Sequence, residues 1–398
     1  LPPVAEPMAD AGFRKSYSPA FRREAEVTFL GERLRNRPGS LLLVGEDGVG
    51  KTTLLVHAVR AAERKPDKEA NQDKGSRGRH SRFWHTSAAR LIAGLRYLGQ
   101  WQERCEDVIA ELSQIGGVLC MESLIDLVRI GGSDPSASVG AFLLPYLQSG
   151  QLRLVAEATP AELDACRRLL PGFAQPFEIM PINELAGKAA GEALDEIAAA
   201  GGRDLRVEVE EDVSRAVLRL YRRFMPYHPL PGRAGSFLRG LLDRARQQSS
   251  PSVGIEQTFG QFVRETGLPE LFLDDEQPLP MAEVFETLSV QVIGLDRACQ
   301  AVARLVCTFK TGLNDPRRPG GSLLFCGPTG VGKTQLARTL SDYLFGHGDQ
   351  SGRLIRLDMS EYSAPWAAQR LVTNPEGTPS DFISNCLLYT SDAADDLA

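Results

Sequence analysis

Blocks of apolar residues recur along the chain, and the spacing inside each block predicts the element it forms. Ser40–Val44 is a short apolar run, long enough for a buried strand and too short for a helix. From Thr53 to Arg64 the apolar residues recur with a helical period. Arg82–Thr86 predicts a second strand, leading into a helix over Ala88–Tyr97 and another over Gln100–Ile115. Gly117–Met121 predicts a third strand, Leu152–Ala156 a fourth and Phe177–Met180 a fifth. Strands alternating with helices predict a parallel sheet covered on both faces, so the fold class is α/β. The polar stretch 65–80 reads as a solvated surface connector. From 183 to 248 the period is helical throughout, over Lys188–Ala200, Glu211–Arg223 and Gly235–Gln247, which predicts a small helical lid. Ser249, Ser250, Pro251 and Ser252 break that pattern. Helical segments then lead to a second strand and helix, Ser322–Cys326 and Gln335–Phe345.

Both strand–helix junctions carry the same eight-residue loop. Gly45-Glu-Asp-Gly-Val-Gly50-Lys51-Thr52 fits G-x-x-x-x-G-K-S/T, and so does Gly327-Pro-Thr-Gly-Val-Gly332-Lys333-Thr334. The glycines Gly45, Gly48 and Gly50, and Gly327, Gly330 and Gly332, let backbone N–H groups turn inward onto phosphate oxygens at a helix N-terminus. Lys51 and Lys333 are placed to reach the β- and γ-phosphates, and the Thr52 and Thr334 hydroxyls to ligate Mg²⁺. Two copies, each between a strand and a helix, predict a pair of nucleotide-binding modules.

Composition narrows the picture further. The 398 residues suggest two or three domains, and an apolar content of 42% supplies more than one core. No apolar run approaches the ~20 residues that span a bilayer, and no leader pattern opens the chain. The net charge of −6 argues against a dedicated nucleic-acid binder. The seven cysteines are scattered without a C-x-x-C pair, which argues against a zinc site or disulfide framework and for a reducing, cytoplasmic setting. The chain begins with Leu1, not Met, which suggests a fragment. The stretch from Cys386 to Ala398 follows no earlier pattern. Its back-translation resembles a transposon-type sequencing adapter, so it is set aside from fold reasoning.

Further segments carry a family resemblance. Val292-Ile-Gly-Leu-Asp-Arg-Ala298 resembles V-x-G-Q-x-x-A, and Thr311–Ser322 resembles A-G-L-x-D-P-x-R-P-x-G-S. Arg356-Leu-Asp-Met-Ser-Glu-Tyr362 resembles R-x-D-M-S-E-Y/F, a second strand and its exit. These motifs are similar to those of the Clp-type AAA+ unfoldases, the family of ClpA, ClpB and ClpC. The resemblance implies an AAA+ sheet sandwiched by helices with a helical lid, then a partial second AAA+ module. It divides the chain into an extension over 1–16, a first large subdomain over 17–182 and a lid with linker over 183–265. A truncated second module follows over 266–385, then the foreign tail over 386–398. It also implies ATP and Mg²⁺ as cofactors, a homo-hexameric ring, protein substrates threaded through a pore, and a peptidase or adaptor as partner. No nucleic-acid or membrane partner is implied.

Single residues follow from the same register. Gly94-Leu-Arg-Tyr97-Leu-Gly99-Gln-Trp101 resembles the axial pore loop G-x-K-Y-R-G-E-F, so Tyr97 is the gripping candidate; a core tyrosine at a helix end is the plainer alternative. Thr159 falls on the sensor threonine near the γ-phosphate, or is simply a helix cap.

The first module departs from the family where hydrolysis is concerned. After the third strand the family reads I-L-F-I-D-E-L, and this chain reads Val118-Leu-Cys-Met-Glu122-Ser123-Leu124. Glu122 then stands for the Mg²⁺-side aspartate and Ser123 for the glutamate that polarises water. A one-residue shift makes Glu122 the base and Met121 the metal-side residue; one acid is missing either way. Losing a general base costs about 10²–10⁴ in rate. The paired arginines before the fifth strand are also absent, since Leu170–Gln175 holds none and Arg167-Arg168 lies upstream. The expectation is a first module that binds nucleotide and hydrolyses it weakly, beside an alternative in which the whole chain is a non-threading scaffold. In the second module the pore segment G-Y-V-G is replaced by Gly377-Thr-Pro-Ser380. No heptad-bearing insertion separates 248 from 292, which disfavours a ClpB-like middle domain.

Overall fold

A computed structural model describes residues 1, 4–10, 12–13, 17–37, 39–64, 82–94, 100–132, 134–315, 318–346, 354 and 357–362. The chain divides into two compact units. The first comprises 1–197 with 229–235, and the second 198–228 with the residues from 236 onward.

The first unit is built on a six-stranded sheet: β1 Glu6–Pro7, β2 Ser40–Val44, β3 Phe83–Thr86, β4 Val118–Met121, β5 Leu154–Ala158 and β6 Phe177–Pro181, in the order β1-β3-β4-β5-β2-β6. The pairs β3–β4, β4–β5, β5–β2 and β2–β6 are parallel, and β1 alone runs antiparallel, against β3. Residues set apart by sequence as an extension thus join the sheet: Glu6 pairs with His85, and Met8 is buried.

Each strand alternates between two cores. Leu42, Leu119, Met121, Leu154 and Ala156 pack on one face with Trp101, Leu112, Leu127 and Phe173. Those partners come from α4 Gln100–Ile115, α5 Leu124–Arg129 and the turn before β6; α3 Ala88–Ile92, α6 Val139–Gln148 and α7 Pro160–Leu169 complete the chain on this side. Leu41, Leu43, Val118, Cys120 and Val155 pack on the other face with Leu30, Leu54, Leu55 and Val59 of α1 Glu24–Asn36 and α2 Lys51–Arg64. Each buried leucine or valine contributes about 1.5–3 kcal/mol of transfer free energy, which explains why strands so short can hold.

The second unit is helical: α9 Val213–Phe224, α11 Ile255–Thr266, α12 Glu270–Leu273, α13 Met281–Gln291, α14 Asp296–Thr311 and α15 Lys333–Phe345, with a parallel pair β7 Glu208–Val209 and β8 Ser252–Val253. The helices α8 Gly187–Leu205 and α10 Gly232–Gln247 contain two of the three division points, and the third falls between His228 and Pro229. Phe272, Val284, Leu288, Val302, Val306 and Leu336 form its core, and Arg219 and Arg223 of α9 both pair with Asp275.

Two expectations are corrected here. Ser322–Cys326 is irregular and not a strand, with Leu324 90% exposed. A strand is held by neighbours on either side, and among the described residues no strand pairs with this run. The fourth strand is Leu154–Ala158 in place of Leu152–Ala156, because Leu154, Val155 and Ala156 pair with β4 and Val155 to Ala158 with β2. That shift brings Glu157 into the sheet. Of the lid helices, α8 runs on to Leu205, α9 spans Val213–Phe224 against the expected Glu211–Arg223, and α10 starts earlier, at Gly232, and ends at Gln247 as expected.

Candidate nucleotide site

The first loop leaves β2 at Val44 and enters α2 at Lys51. Gly48 and Gly50 hold φ of 91° and 92°, a region closed to most side chains. Gly45 has no room for one: a Cβ there would lie 2.2 Å from the Ile182 carbonyl oxygen. A Cβ on Gly232 would likewise lie 2.2 Å from the Gly48 carbonyl oxygen. Lys51 is 8% exposed, and its ammonium donates to the carbonyls of Gly45 (2.6 Å) and Glu46 (3.1 Å), with Asp47 at 3.5 Å. Beneath the loop the buried Arg23 donates to the carbonyls of Val49 (3.0 Å) and Asn183 (2.6 Å) and pairs with Glu26. Arg23 was not singled out in the sequence, since an arginine just before a helix looks like any surface charge.

At the end of β4, Glu122 is 54% exposed and faces aromatic neighbours. Its Oε1 accepts from the Tyr17 hydroxyl (3.3 Å) and lies 3.1 Å from His85 Nε2. Burial, with Glu122 beside it, pushes the Tyr17 phenol up to about 12. Burial also lowers the His85 pKa, against the opposing pull of Glu122. Ser123 is the N-cap of α5, and its Oγ accepts from the Asp126 N–H (3.3 Å). A serine so employed cannot act as a base near neutral pH. Thr159 caps α7 in the same way. Its Oγ1 accepts from the Glu162 N–H (3.1 Å), and the Glu162 carboxylate accepts from the Thr159 N–H (2.7 Å). This reciprocal box is the cap alternative in structural form.

The carboxylate that reaches the loop is Glu157, not Glu122. It projects from β5 on the face shared with Val155, Leu54 and Leu55, and is 3% exposed. The Thr52 hydroxyl donates to its Oε2 (2.9 Å), while Oε1 is buried with no hydrogen-bond partner. Burial raises its pKa to about 8, against the Thr52 hydrogen bond and the Lys51 charge. The signal in the sequence was a charge inside Leu154-Val-Ala-Glu-Ala158, passed over because the predicted strand stopped one residue short. These groups fit the expected cofactors. The loop offers a helix N-terminus and a lysine for phosphates, and the oxygen pair Thr52 Oγ1 and Glu157 suits a hard cation such as Mg²⁺.

The second loop repeats the backbone. Gly330 and Gly332 have φ of 84° and 95°, α15 starts at Lys333, and the Lys333 ammonium donates to the carbonyls of Gly327 (2.7 Å) and Pro328 (2.5 Å). Lys333 is half-buried, and Thr334 is exposed.

A family model described as "AAA domain (Cdc48 subfamily)" matches residues 318–381, around this second loop. The ATP-dependent Clp protease ATP-binding subunit ClpC of Staphylococcus epidermidis is 26% identical over 428 residues, which cover 90% of this chain and 50% of the relative. ClpC of Staphylococcus aureus is 26% identical over 434 residues with the same coverage. A closed-state reconstruction of Hsp104 with ATPyS and FITC casein has a TM-score of 0.69 at 25% identity, covering 97% of this chain and 66% of that one. The Saccharomyces cerevisiae Hsp104–ADP complex gives the same values.

Over most of its length the chain is similar to the Clp/Hsp104-type AAA+ chaperone family.

Its six-stranded unit, with the phosphate loop between β2 and α2, is the AAA+ fold of that family. The chain spans about half the length of the curated ClpC relatives it matches. The pore-loop candidate Tyr97 and the segment Gly377–Ser380 lie outside the described residues, as do Cys386 to Ala398. The stretch Leu170–Gln175 is the turn between α7 and β6, with Phe173 buried in the core. Among the described residues no helix is long and apolar enough to cross a membrane.

Proposed function

We propose that this chain is the ATP-binding part of a Clp-type protein unfoldase whose first module binds MgATP and hydrolyses it weakly. In this reading Lys51 and Thr52 hold the nucleotide in the first module, Lys333 and Thr334 in the second. Glu122 stands near the metal and Thr159 near the γ-phosphate. The assembled ring is a homo-hexamer that passes protein substrates through a pore gripped by Tyr97, in the cytoplasm, with a peptidase or adaptor as partner. The domain division given from sequence goes with it.

The observation that carries the weak-hydrolysis half is Ser123. Its hydroxyl is committed to the first turn of α5 where the family register calls for a carboxylate. The full chain tests this in a nucleotide-binding and turnover assay. Binding weakened about 10–100-fold by Lys51→Ala, with turnover near background, is the expected result. Robust turnover that Ser123→Ala abolishes while the fold is retained would falsify the reading. In the longer protein, Tyr97→Ala should abolish ATP-dependent unfolding, and unchanged unfolding excludes the gripping role.

A second reading, a scaffold that assembles with nucleotide and threads nothing, is favoured by the absence of arginine over Leu170–Gln175. An arginine supplied across a ring interface is worth about 10³–10⁵ in rate. Nucleotide-dependent assembly without unfolding activity in the longer protein would choose the scaffold.

A further inference from the structure

Glu157 has no ordinary reason to be where it is. It lies on β5, between the loop strand β2 and the strand β4 that ends at Met121. Its backbone pairs with Leu43, and its strand neighbours are Ala156 and Ala158. An isolated carboxylate in such a layer is costly to bury unless something there is complementary to it. Among the described residues the one side-chain hydrogen-bond partner of its carboxylate is the Thr52 hydroxyl on Oε2, and Oε1 has none.

The acid expected after β4 has other partners among the described residues. Glu122 is turned to Tyr17 and His85, in a cluster where the Phe13 ring lies 5.3 Å from that of Tyr17 and 5.0 Å from that of His85. Thr52, the loop hydroxyl suited to Mg²⁺, is bonded to Glu157 instead. The strand face decides this. Positions alternate along β5, so Glu157 shares the side of Val155, which packs with α2, and α2 carries Thr52 in its first turn.

We propose that Glu157 is the carboxylate of the Mg²⁺ site in the first module, supplied from β5 in place of the acid missing after β4. The proposal rests on the reading that this loop binds MgATP. With Thr52 it forms an all-oxygen pair of the kind Mg²⁺ takes from a protein, the remaining positions going to phosphate and water. The unpartnered Oε1 would then offer a lone pair to the cation, or accept from a water held by it. Metal binding and hydrolysis are thereby separated: the module keeps a metal-side carboxylate without regaining a base at Ser123.

The test uses the full chain carrying Lys333→Ala, so that the first loop is read alone. A fluorescent ATP analogue is titrated with and without Mg²⁺, and Mn²⁺ replaces Mg²⁺ for detection of the bound cation by electron paramagnetic resonance. The expected result is that Mg²⁺ strengthens nucleotide binding in this parent. Glu157→Gln and Glu157→Ala should cut that enhancement by about tenfold or more, with the metal-free affinity unchanged. The Mn²⁺ signal should weaken in parallel, and by more than Glu122→Gln weakens it.

An enhancement that persists in both Glu157 variants overturns the proposal, and its loss in Glu122→Gln alone returns the role to Glu122. The isosteric Gln variant guards against a packing failure in the Ala variant. A parent that binds no nucleotide, or binds it equally after Lys51→Ala, defeats the phosphate-loop reading itself, and the Glu157 assignment with it.

Discussion

In the first phosphate loop Gly48 and Gly50 hold φ of 91° and 92°; in the second, Gly330 and Gly332 hold 84° and 95°. Both lysines fold onto the carbonyls six and five residues before them. The surroundings differ. Lys51 is buried, with a parallel sheet behind its loop and a carboxylate on the Thr52 hydroxyl. Lys333 is half-buried, Thr334 is exposed, and the run before the loop, with Leu324 in solvent, pairs with no strand among the described residues. The shape of the loop is therefore local, written in its glycines and in the helix that follows. The low-dielectric setting that strengthens a charge on phosphate comes from the sheet.

That comparison is broken most directly by nucleotide affinity. Lys51→Ala should weaken binding of a fluorescent ATP analogue to this chain by about 10–100-fold, the worth of a buried charge-assisted hydrogen bond. Lys333→Ala should change it by less than about twofold, because an exposed ammonium shares its phosphate contact with water. Equal losses in the two variants would mean that the sheet adds nothing to the loop.

The leading glycines offer the next contrast. Gly45→Ala drives a methyl group into the Ile182 carbonyl, whereas a Cβ on Gly327 meets only Val331 Cγ2 at 3.4 Å. The first change should cost about 2–3 kcal/mol of stability, as overpacking does, and the second less than about 0.5 kcal/mol. Urea unfolding followed by fluorescence checks the first, since Trp84 and Trp101 both lie in the sheet unit. A neutral Gly45→Ala would show that the loop yields and that its framing by β6 is loose.

Legibility followed the same divide. The strands buried on both faces were legible because their apolar runs have no other use, and Ser40–Val44 forms as read. The phosphate loops were legible because their glycines and lysines answer to local geometry. Glu157 was passed over because its role depends on register between strands: it meets Thr52 only once β5 lies beside β2. Ser322–Cys326 was misread for the converse reason, since an apolar run becomes a strand only with neighbours. Ser123 and Thr159 are short polar residues ahead of helices, a pattern shared by caps and catalytic groups. Their hydrogen bonds, not their spacing, reveal the caps.

Those caps give a smaller effect confined to the sheet unit. Ser123→Ala should lower its stability by about 1 kcal/mol, and Ser123→Asp should restore most of that, since either oxygen accepts from the Asp126 N–H. Thr159→Ala removes one half of a reciprocal box and should cost about 1–2 kcal/mol. Thermal unfolding read at the tryptophans measures all three. A Ser123→Ala protein as stable as the parent would free Ser123 from its structural duty and reopen a role at the nucleotide.

The smallest effect concerns the sheet edge that frames the first loop and has no counterpart at the second among the described residues. Glu178 on β6 accepts from Arg33 Nε (2.8 Å) and also from Arg33 Nη2. Hydrogen bonding to that guanidinium, with Arg33 and Arg37 beside it, holds the Glu178 carboxyl below the usual carboxylate range. A carboxylate held low contributes stability while the pH is above its unfolded value, near 4.3, and loses it as the pH falls through the lower folded value. Glu178 is half exposed, so the contribution at neutral pH should stay below about 1 kcal/mol. Urea midpoints of the sheet unit should therefore fall less steeply between neutral pH and about pH 3 in Glu178→Gln than in the parent. Parallel curves for the two proteins would assign the acid sensitivity of this unit to other carboxylates and leave the β6 edge held by backbone pairing alone.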